Sequence, residues 1–316
     1  MRALVTGGAG FIGSNLVDRL LAEGHAVDVV DDLSSGKLGN LADARGSRDH
    51  EVSFHQLDIC ADGTVDLIER RRPDVVFHLA AQIDVRSSVD DPVRDARINV
   101  LGALNVLEGT RRAGARKLVF ASSGGTIYGD VDGADLPITE AHPLRPSVPY
   151  GVTKRVFTDY LAVYRDLHQM EYTSLAFANV YGPRQDPHGE AGVVSIFAGK
   201  LLDGVPPIVF GTGEQTRDFV YVDDVVDALV RAADRGDGLL MNIGTGRETS
   251  VNELYASMAK AIGFDQPAKY APARPGEVQR SCLDSTRARI QLGWEAWNDI
   301  DTGSSAVMEW DRSRRA

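Results

Sequence analysis

Short apolar runs alternate along the chain with longer stretches in which apolar residues recur at helical spacing. Buried strands are predicted at residues 2–5, 26–30, 74–81 and 117–121, and a further strand is predicted to close at 57–59. Helices are predicted from residue 12 towards Gly24, over 100–114 with Asn99 opening it, over 150–168, from Val193, and briefly over 304–311. This alternation predicts an α/β fold, a Rossmann-type doubly wound parallel sheet with ligands at the carboxyl ends of its strands.

A glycine-rich turn joins the first predicted strand to the first predicted helix. Gly8, Gly10 and Gly13 satisfy G-x-G-x-x-G, and Gly7 with the last two gives a G-x-x-G-x-x-G variant. Glycines in this context let the backbone approach a pyrophosphate, which then lies at the positive end of the helix. The alternative is a tight turn that needs glycine only for its dihedral angles.

Acidic and small residues follow the other predicted strands. Asp31 and Asp32 end the second strand, where a carboxylate binds the adenosine ribose hydroxyls and disfavours a 2′-phosphate, so NAD is predicted over NADP. Two acids at a strand end are also typical of a capped turn. Ala80 and Ala81 follow the fourth strand and would let the cofactor backbone pass closely.

Tyr150 and Lys154 lie one helical turn apart, which puts both side chains on the same face of their helix. A free phenol titrates near pH ~10, so a tyrosine that works as a base at neutral pH needs a lowered pKa. A neighbouring ammonium supplies part of that lowering. The pair is therefore a candidate catalytic base, and the alternative is a helix that carries the two residues by chance.

Composition narrows the range of partners. The chain has 316 residues, 43% of them apolar and 25% charged, and a formal net charge of -11 without a basic stripe. Nucleic acid and anionic membranes are therefore not expected as partners, and no apolar run approaches the ~20 residues of a membrane span. Two cysteines without metal-type spacing, and a start that lacks a signal-peptide pattern, predict a reducing, cytoplasmic setting.

Two histidines could suggest further chemistry. His78 lies inside an apolar strand, where a histidine is more often a core residue than a catalytic one. His188 lies in a proline-glycine loop with Asp186 and Glu190, which offers too few ligands for a metal site, so no metal is predicted.

The ordered set of motifs resembles the extended short-chain dehydrogenase/reductase family, in particular its NAD-dependent epimerases and dehydratases, and is most similar to the UDP-glucose (UDP-galactose) 4-epimerases. The resemblance covers nearly the whole chain. The matching segments are 6–13, Asp31, 58–59, 79–81, Asn99, 122–123, 128–129, 150–154, 179–184, 216–224 and 242–246.

The resemblance implies a tightly bound NAD that is recycled in place. Tyr150 would take the proton of the sugar 4-hydroxyl while hydride leaves carbon 4, and the 4-keto sugar would regain hydride on its other face. Lys154 would bond the nicotinamide ribose and lower the pKa of Tyr150. The implied cofactor-binding residues are Gly7, Gly10, Phe11, Ile12, Gly13, Asp31, Asp32, Asp58, Ile59, Leu79, Ala80, Ala81, Asn99, Tyr150 and Lys154.

One position departs from the family pattern. Where the family carries Ser or Thr to bond the 4-hydroxyl, this chain has Gly124. We expect the Ser123 hydroxyl to substitute, with Thr126 as the alternative. Nucleotide-sugar 4,6-dehydratases carry Thr-Asp-Glu in this loop, and Gly124-Gly125 supplies no such acid.

The resemblance also predicts the organisation of the substrate side. Residues 1–180 would form the NAD domain, with 210–240 returning to it, and 181–316 would form mainly a smaller α+β lobe for the nucleotide sugar. The implied substrate-binding residues are Ser123, Tyr150, Asn179, Gly192, Val193, Arg217, Arg274 and Glu277. Ser281 stands where epimerases restricted to plain hexoses carry a bulky tyrosine, so N-acetyl sugars are a predicted further substrate.

The apolar surplus of helices 100–114 and 150–168 predicts a homodimer, as in the family. Two other functions stay open at this stage. A dehydratase or one-way 4-ketoreductase of the same fold would need a loop acid or an exchangeable cofactor, respectively. A non-catalytic NAD-binding protein could dispense with Tyr150 and Lys154, which this chain keeps.

Overall fold

The computed structural model describes residues 1–46, 51–187, 192–274 and 278–315. The strands are β1 (Arg2–Thr6), β2 (Ala26–Asp31), β3 (Val52–Gln56), β4 (Val75–His78), β5 (Lys117–Ser123), β6 (Glu171–Phe177), β7 (Asn179–Tyr181), β8 (Ile208–Phe210), β9 (Thr216–Arg217), β10 (Phe219–Tyr221), β11 (Leu239–Ile243), β12 (Thr249–Ser250) and β13 (Lys269–Ala271). The α-helices are α1 (Phe11–Ala22), α2 (Ala42–Gly46), α3 (Gly63–Arg71), α4 (Val85–Asp90), α5 (Pro92–Ala96), α6 (Ala103–Ala113), α7 (Pro149–His168), α8 (Val193–Leu202), α9 (Val222–Ala232), α10 (Val251–Ile262), α11 (Thr286–Leu292) and α12 (Ile300–Ser313). Short 3₁₀ turns cover Leu38–Leu41 and Gly133–Asp135, and a π-helical segment, Arg97–Gly102, joins α5 to α6.

Within the described residues, the main sheet has seven strands in the order β11-β6-β5-β4-β1-β2-β3. All neighbouring strands in it are parallel. Because side chains alternate between faces, Ala3 and Val5 join one apolar cluster and Leu4 joins the other. Helices pack over both faces, α1 and α9 on one side and α3 and α6 on the other. The predicted Rossmann-type fold is confirmed.

The register of the sheet brings the loops of the site together. Thr6, the last residue of β1, is paired with Val30 on one side and with His78 on the other. The chain segments that follow β1, β2 and β4 therefore leave the sheet side by side, at its carboxyl edge.

The C-terminal part adds short strand pairs and helices to this framework. The pairs are β7–β10 and β8–β13, both parallel, and the antiparallel β9–β12. The segment before α12 is tied to α9, because the indole Nε1 of Trp294 donates to the Asp224 carbonyl at 2.8 Å and Asn298 Nδ2 donates to the Asp224 carboxylate at 3.0 Å. The last helix is longer than the predicted 304–311, and Asp299 caps its first turn.

Several predicted bounds were wrong. The third strand ends at Gln56, before the segment 57–59 that was predicted to close it. The fourth strand ends at His78. The Leu79 amide makes the last ladder bond, to the Thr6 carbonyl, and the Ala80 amide then donates to the Thr6 hydroxyl instead of to the next strand residue. Asn99 does not open a helix but lies inside the π-helical segment. The predicted helix over 150–168 is present as α7.

The helices of the described residues are all too short or too polar to cross a bilayer.

Candidate active site

The glycine turn forms a close-packed cradle between β1 and α1. A Cβ on Gly13 would lie 2.1 Å from the Gly7 carbonyl oxygen, and one on Gly7 would lie 2.7 Å from the Ala80 amide nitrogen. Gly7 also has a positive φ of 70°, which favours glycine. Among the described residues, no side chain caps the start of α1 at Gly10, so its first amides stay available to an anion. The cradle fits a dinucleotide pyrophosphate.

Two acids at the end of β2 have different roles. The Asp31 carboxylate accepts hydrogen bonds from the amides of Ala9 at 2.9 Å and Leu33 at 2.8 Å, which fixes it beside the glycine turn. Burial raises the pKa of Asp31, and these two amides act against that rise. Asp32 accepts from the amide and hydroxyl of Ser34 and caps the turn. The acceptor sites left on Asp31 suit a pair of ribose hydroxyls.

The loop after β3 is also fixed by its own contacts. Asp58 accepts from the Cys60 amide at 2.8 Å, and the Ile59 carbonyl accepts from Asn105 Nδ2 at 3.0 Å. The Ile59 side chain is buried against Gly102, where a Cβ would approach it to 2.9 Å. Asp58 and Ile59 therefore present a rigid wall at the same sheet edge.

Tyr150 and Lys154 are held in the first turns of α7. The Lys154 ammonium donates to the Ala121 carbonyl at 2.9 Å and lies 5.6 Å from the centre of the Tyr150 ring. Burial lowers the pKa of Lys154 to about 8. Burial raises the pKa of Tyr150, and so does the charge of Asp95. The protein alone therefore opposes the lowered tyrosine pKa that the sequence predicted, because desolvation of the phenolate dominates.

The loop after β5 explains the unusual glycine. The Ser123 hydroxyl faces the Tyr150 phenol, and it lowers the pKa of Tyr150. A Cβ on Gly124 would lie 2.4 Å from Leu283 Cδ1, so Leu283 occupies the space that a serine or threonine would need. The Thr126 hydroxyl is buried without a partner among the described residues. The structure thus brings Ser123, and not Thr126, to the tyrosine.

Asn99 belongs to a buried hydrogen-bond network that the sequence reasoning missed. Its Nδ2 donates to the Gln82 carbonyl and to Asp95, both at 2.9 Å, and its Oδ1 accepts from the Gln82 amide at 2.9 Å. Thr153 also donates to Asp95, at 2.9 Å. With both amide hydrogens used, Asn99 positions the loop after β4. The i,i+4 spacing of Asp95 and Asn99 on one helical face could have revealed the pair.

The candidate substrate residues come from separate segments. Asn179 is exposed in β7, Arg217 lies in β9, and Gly192 precedes α8, whose start no side chain caps within the described residues. The Arg274 guanidinium stacks 3.9 Å above the centre of the Phe210 ring. Glu277 lies outside the described residues, as do His188 and Glu190 of the loop considered for a metal.

Asp218 connects several of these segments and was not singled out from the sequence. Its buried carboxylate accepts from the amide and hydroxyl of Thr245 at 2.8 and 2.7 Å, and from the amides of Gly246 at 3.3 Å and Leu283 at 3.2 Å. Burial raises its pKa, while these donors oppose the rise. These bonds fix the backbone beside Arg217, the residue that precedes Asp218, and they hold Leu283 next to Gly124.

His78 adds no reactive group. His78 is buried, its Nδ1 is 2.7 Å from the Thr6 hydroxyl, and burial lowers its pKa to about 3. It therefore stays neutral and structural. In the described ranges, no three His, Cys, Asp or Glu side chains gather as a metal site would require.

Comparisons with known proteins agree with this geometry. Residues 3–244 match the model of the NAD dependent epimerase/dehydratase family. A UDP-glucose 4-epimerase of Mycolicibacterium smegmatis is 49% identical over 99% of both chains. The crystal structure of a UDP-glucose 4-epimerase with UDP-glucose from Thermotoga maritima superposes with a TM-score of 0.93, at 44% identity over 100% of both chains. A Thermus thermophilus UDP-glucose 4-epimerase in complex with NAD gives a TM-score of 0.89, at 41% identity over 99% of both chains. The predicted resemblance and the predicted use of NAD are confirmed, and the chain belongs to the NAD-dependent epimerase/dehydratase family.

Proposed function

We propose that the chain is a nucleotide-sugar 4-epimerase, an isomerase that interconverts UDP-galactose and UDP-glucose with NAD that stays bound. The observation that carries this is the grouping of the Tyr150 phenol with the Ser123 hydroxyl and with the buried ammonium of Lys154, which lies 5.6 Å from the centre of the Tyr150 ring. This group lies at the same sheet edge as the glycine cradle. A base, a hydroxyl and a cofactor site at one edge are what reversible oxidation of a sugar alcohol needs.

When bound, NAD supplies the reversible hydride acceptor for carbon 4 of the sugar. Tyr150 takes the proton of the 4-hydroxyl, and Ser123 bonds the same region of the substrate. Because burial raises the pKa of Tyr150, the ammonium of Lys154 and the positive charge of the oxidised cofactor must outweigh that rise. Return of the proton from Tyr150 to the other epimer completes the cycle without net oxidation.

The nucleotide sugar is held by the second half of the chain. Arg217 and Arg274 meet the diphosphate, since paired cations suit its charge. Asn179, the start of α8 at Gly192 and Val193, and Glu277 complete this side. Residues 1–180 form the NAD domain with 210–240 returning to it, and 181–316 form mainly the substrate lobe. The addition of β11 to the main sheet supports such a return to the NAD domain.

The enzyme also accepts the N-acetyl sugars. Ser281 is small and half-buried, and Cys282 and Leu283, which follow it, are buried next to the site. A small side chain there leaves room for an acetamido group that a tyrosine would exclude.

Two copies of the chain associate through α6 and α7. Val152, Tyr160, Val163 and Leu167 are exposed along α7, with exposures of 39–70%. Such a row of apolar side chains on one helix supports a self-complementary interface. Cys60 and Cys282 are both free thiols, which supports a reducing, cytoplasmic setting.

The other activities of the family fit less well. A 4,6-dehydratase needs an acid in the loop after β5, and Gly124 and Gly125 stand there. A 4-ketoreductase would have to exchange its cofactor at every turnover. A non-catalytic NAD-binding protein would not need the Ser123 hydroxyl to face Tyr150.

The test is to incubate the purified protein with UDP-galactose, without added NAD, and to follow the sugar by NMR. We expect conversion to UDP-glucose with no free NADH. Tyr150→Phe should lose at least about 100-fold of this activity but keep its NAD, because it removes only the proton acceptor. Tyr160→Phe is the matched control on the same helix. It removes an exposed hydroxyl but keeps the apolar ring that the proposed interface uses, so activity should be unaffected.

Retained NAD without conversion of UDP-galactose, UDP-glucose or their N-acetyl forms would overturn the proposed activity. Loss of NADH into solution, or a 6-deoxy product, would point to the ketoreductase or dehydratase instead.

A further inference from the structure

Asp95 is a buried carboxylate beneath the catalytic pair that the proposed mechanism does not use. It is 0% exposed and accepts hydrogen bonds from Thr153 Oγ1 at 2.9 Å, Asn99 Nδ2 at 2.9 Å and Gln82 Nε2 at 3.1 Å. Burying an ionised carboxylate is costly unless it is bonded this well. Burial raises the pKa of Asp95, and the three donors and the charge of Lys154 oppose that rise.

The three donors come from different parts of the site. Thr153 precedes Lys154 on α7, and its hydroxyl is also 3.0 Å from the Tyr150 carbonyl oxygen. Gln82 belongs to the loop after β4, directly beyond Ala80 and Ala81. Asn99 joins that loop to the π-helical segment. One carboxylate thus connects the catalytic helix to the loop that borders the cofactor cradle.

The charge of Asp95 also reaches the pair. Lys154 is only 4% exposed, and its ammonium lies 4.8 Å above the Phe120 ring. Burial lowers the pKa of Lys154, and the Asp95 carboxylate acts in the opposite direction. The same carboxylate adds to the raised pKa of Tyr150. Asp95 therefore favours the protonated form of both groups.

The other charged neighbours of Asp95 do not replace it. Arg86 on α4, Arg94 on α5 and Arg97 in the π-helical segment are exposed, and solvent screens their charges. Asp84 accepts from the Ser87 amide at the start of α4. His78 of β4 faces Lys154 but stays neutral, because burial lowers its pKa to about 3.

We propose that Asp95 is a positioning residue for the Tyr150–Lys154 pair, whose buried charge keeps Lys154 an ammonium and whose hydrogen bonds fix α7 against the loop after β4. The proposal rests on the proposed function, because it assigns Asp95 a role in that same site. Asp95 is thus a further charged group of the site, and its distance in sequence from Tyr150 and Lys154 gives no sign of this role.

The test is the variant Asp95→Asn, which removes the negative charge of this side chain and keeps its size and shape. The amide oxygen still accepts from Asn99 and Gln82, and the new amino group donates to Thr153 Oγ1, which still donates to the Tyr150 carbonyl. We expect both limbs of the pH profile of kcat to move to lower pH, since loss of the negative charge favours deprotonation of Tyr150 and of Lys154 alike. Asp91→Asn removes an exposed carboxylate that caps α5, and it should leave both limbs in place.

Tyrosinate absorbance gives a readout that does not depend on turnover. The titration of the purified protein minus that of its Tyr150→Phe variant isolates Tyr150, and in the Asp95→Asn background this difference should appear at lower pH. Unmoved limbs together with an unmoved difference titration would overturn the proposal. If the wild type fails to epimerise any UDP-hexose, the proposed function falls, but the titration still decides the role of Asp95.

Thr153→Val is the second variant, and it tests the positioning role of Asp95 even if Asp95→Asn does not fold. It removes the hydroxyl that connects Asp95 to the Tyr150 carbonyl but keeps the carboxylate. We expect kcat to fall by up to about 100-fold, as for a misplaced reacting group, with unmoved pH limbs and recovery in Thr153→Ser. Wild-type kcat in Thr153→Val would contradict the positioning role.

Discussion

The two edges of the candidate site are built in different ways. The proposed cofactor edge consists of residues 7–13, 31–32, 58–59 and 79–81. These segments follow neighbouring parallel strands, so the register of the sheet sets them side by side, and close contacts such as that of Gly7 with Ala80 fix them there. The substrate edge consists of Asn179, Gly192, Val193, Arg217 and Arg274, which come from separate segments. Around Arg217 it depends on long-range bonds to Asp218. The register of a parallel sheet positions residues that follow its strands, whereas residues from separate segments need a buried side chain such as Asp218 to hold them together.

The largest expected effect comes from closing the glycine cradle. Gly13→Ala places a methyl group 2.1 Å from the Gly7 carbonyl oxygen, so the turn must move. We expect the protein to lose most of its co-purifying NAD and about 100-fold of its epimerase activity, because the reacting groups lose their register. NAD content after denaturation and the rate with UDP-galactose measure the two losses.

Gly63→Ala is the matched control for that change. Its added methyl group meets nothing within 4 Å at the start of α3, so stability should stay unchanged or rise by up to about 1 kcal/mol. Full NAD content in Gly13→Ala would show that the cofactor edge does not depend on this close approach.

A change at Asp218 should weaken the substrate edge and leave the cofactor edge intact. Asp218→Asn replaces one acceptor oxygen with a donor that faces amide hydrogens, so we expect KM for the nucleotide sugar to rise about 10-fold and unfolding free energy to fall by about 2–3 kcal/mol. NAD content should stay normal. Substrate kinetics and chemical denaturation measure the two effects.

Asp284→Asn is the control for Asp218. Among the described residues, the Asp284 carboxylate accepts only from the Thr286 amide in a turn, and an asparagine side chain can accept the same bond. Its stability should change by less than about 0.5 kcal/mol. A loss of NAD in Asp218→Asn equal to its loss of sugar binding would contradict the separation of the two edges.

Gly124 lies where the two edges meet. Gly124→Ser restores the residue type that the family carries, but its Cβ would lie 2.4 Å from Leu283 Cδ1. We therefore expect lower stability, by about 1–3 kcal/mol, and no gain in kcat. Gly125→Ser, whose Cβ meets nothing within 4 Å, should behave like the wild type. A faster Gly124→Ser enzyme would show that Ser123 is an incomplete substitute.

The smallest expected effect is on the pH dependence of stability, and it comes from His78 in β4 of the main sheet. The pKa of His78 is about 3 in the folded chain and near 6.5 in a free side chain. The unfolded state therefore binds the proton first, and stability is lost as pH falls from 6.5 towards 3, by at most about 1.4 kcal/mol per pH unit. His78→Gln should flatten this loss in denaturation curves measured between pH 6.5 and 5. Parallel curves for the two proteins would contradict it.

Local sequence was sufficient to predict the sheet and the use of NAD, and it also singled out the candidate cofactor edge and the candidate catalytic pair. Strand and helix periods, the glycine spacing, Asp31 and the one-turn separation of Tyr150 and Lys154 are short-range patterns, and a parallel sheet places strand ends together. Short-range patterns did not give strand ends. Strand β4 ends at His78 because its partner β1 ends at Thr6, and the next amide, that of Ala80, donates to the Thr6 hydroxyl.

Only the tertiary structure decided the remaining features of the site. That Leu283 fills the space beside Gly124, that the Ser123 hydroxyl faces Tyr150, and that Asp95 and Asp218 accept hydrogen bonds from separate segments all depend on residues far apart in the chain. The direction in which the Tyr150 pKa shifts also depends on the tertiary structure. Spacing shows which charges are near, but the cost of burying a phenolate depends on how much water the folded chain excludes.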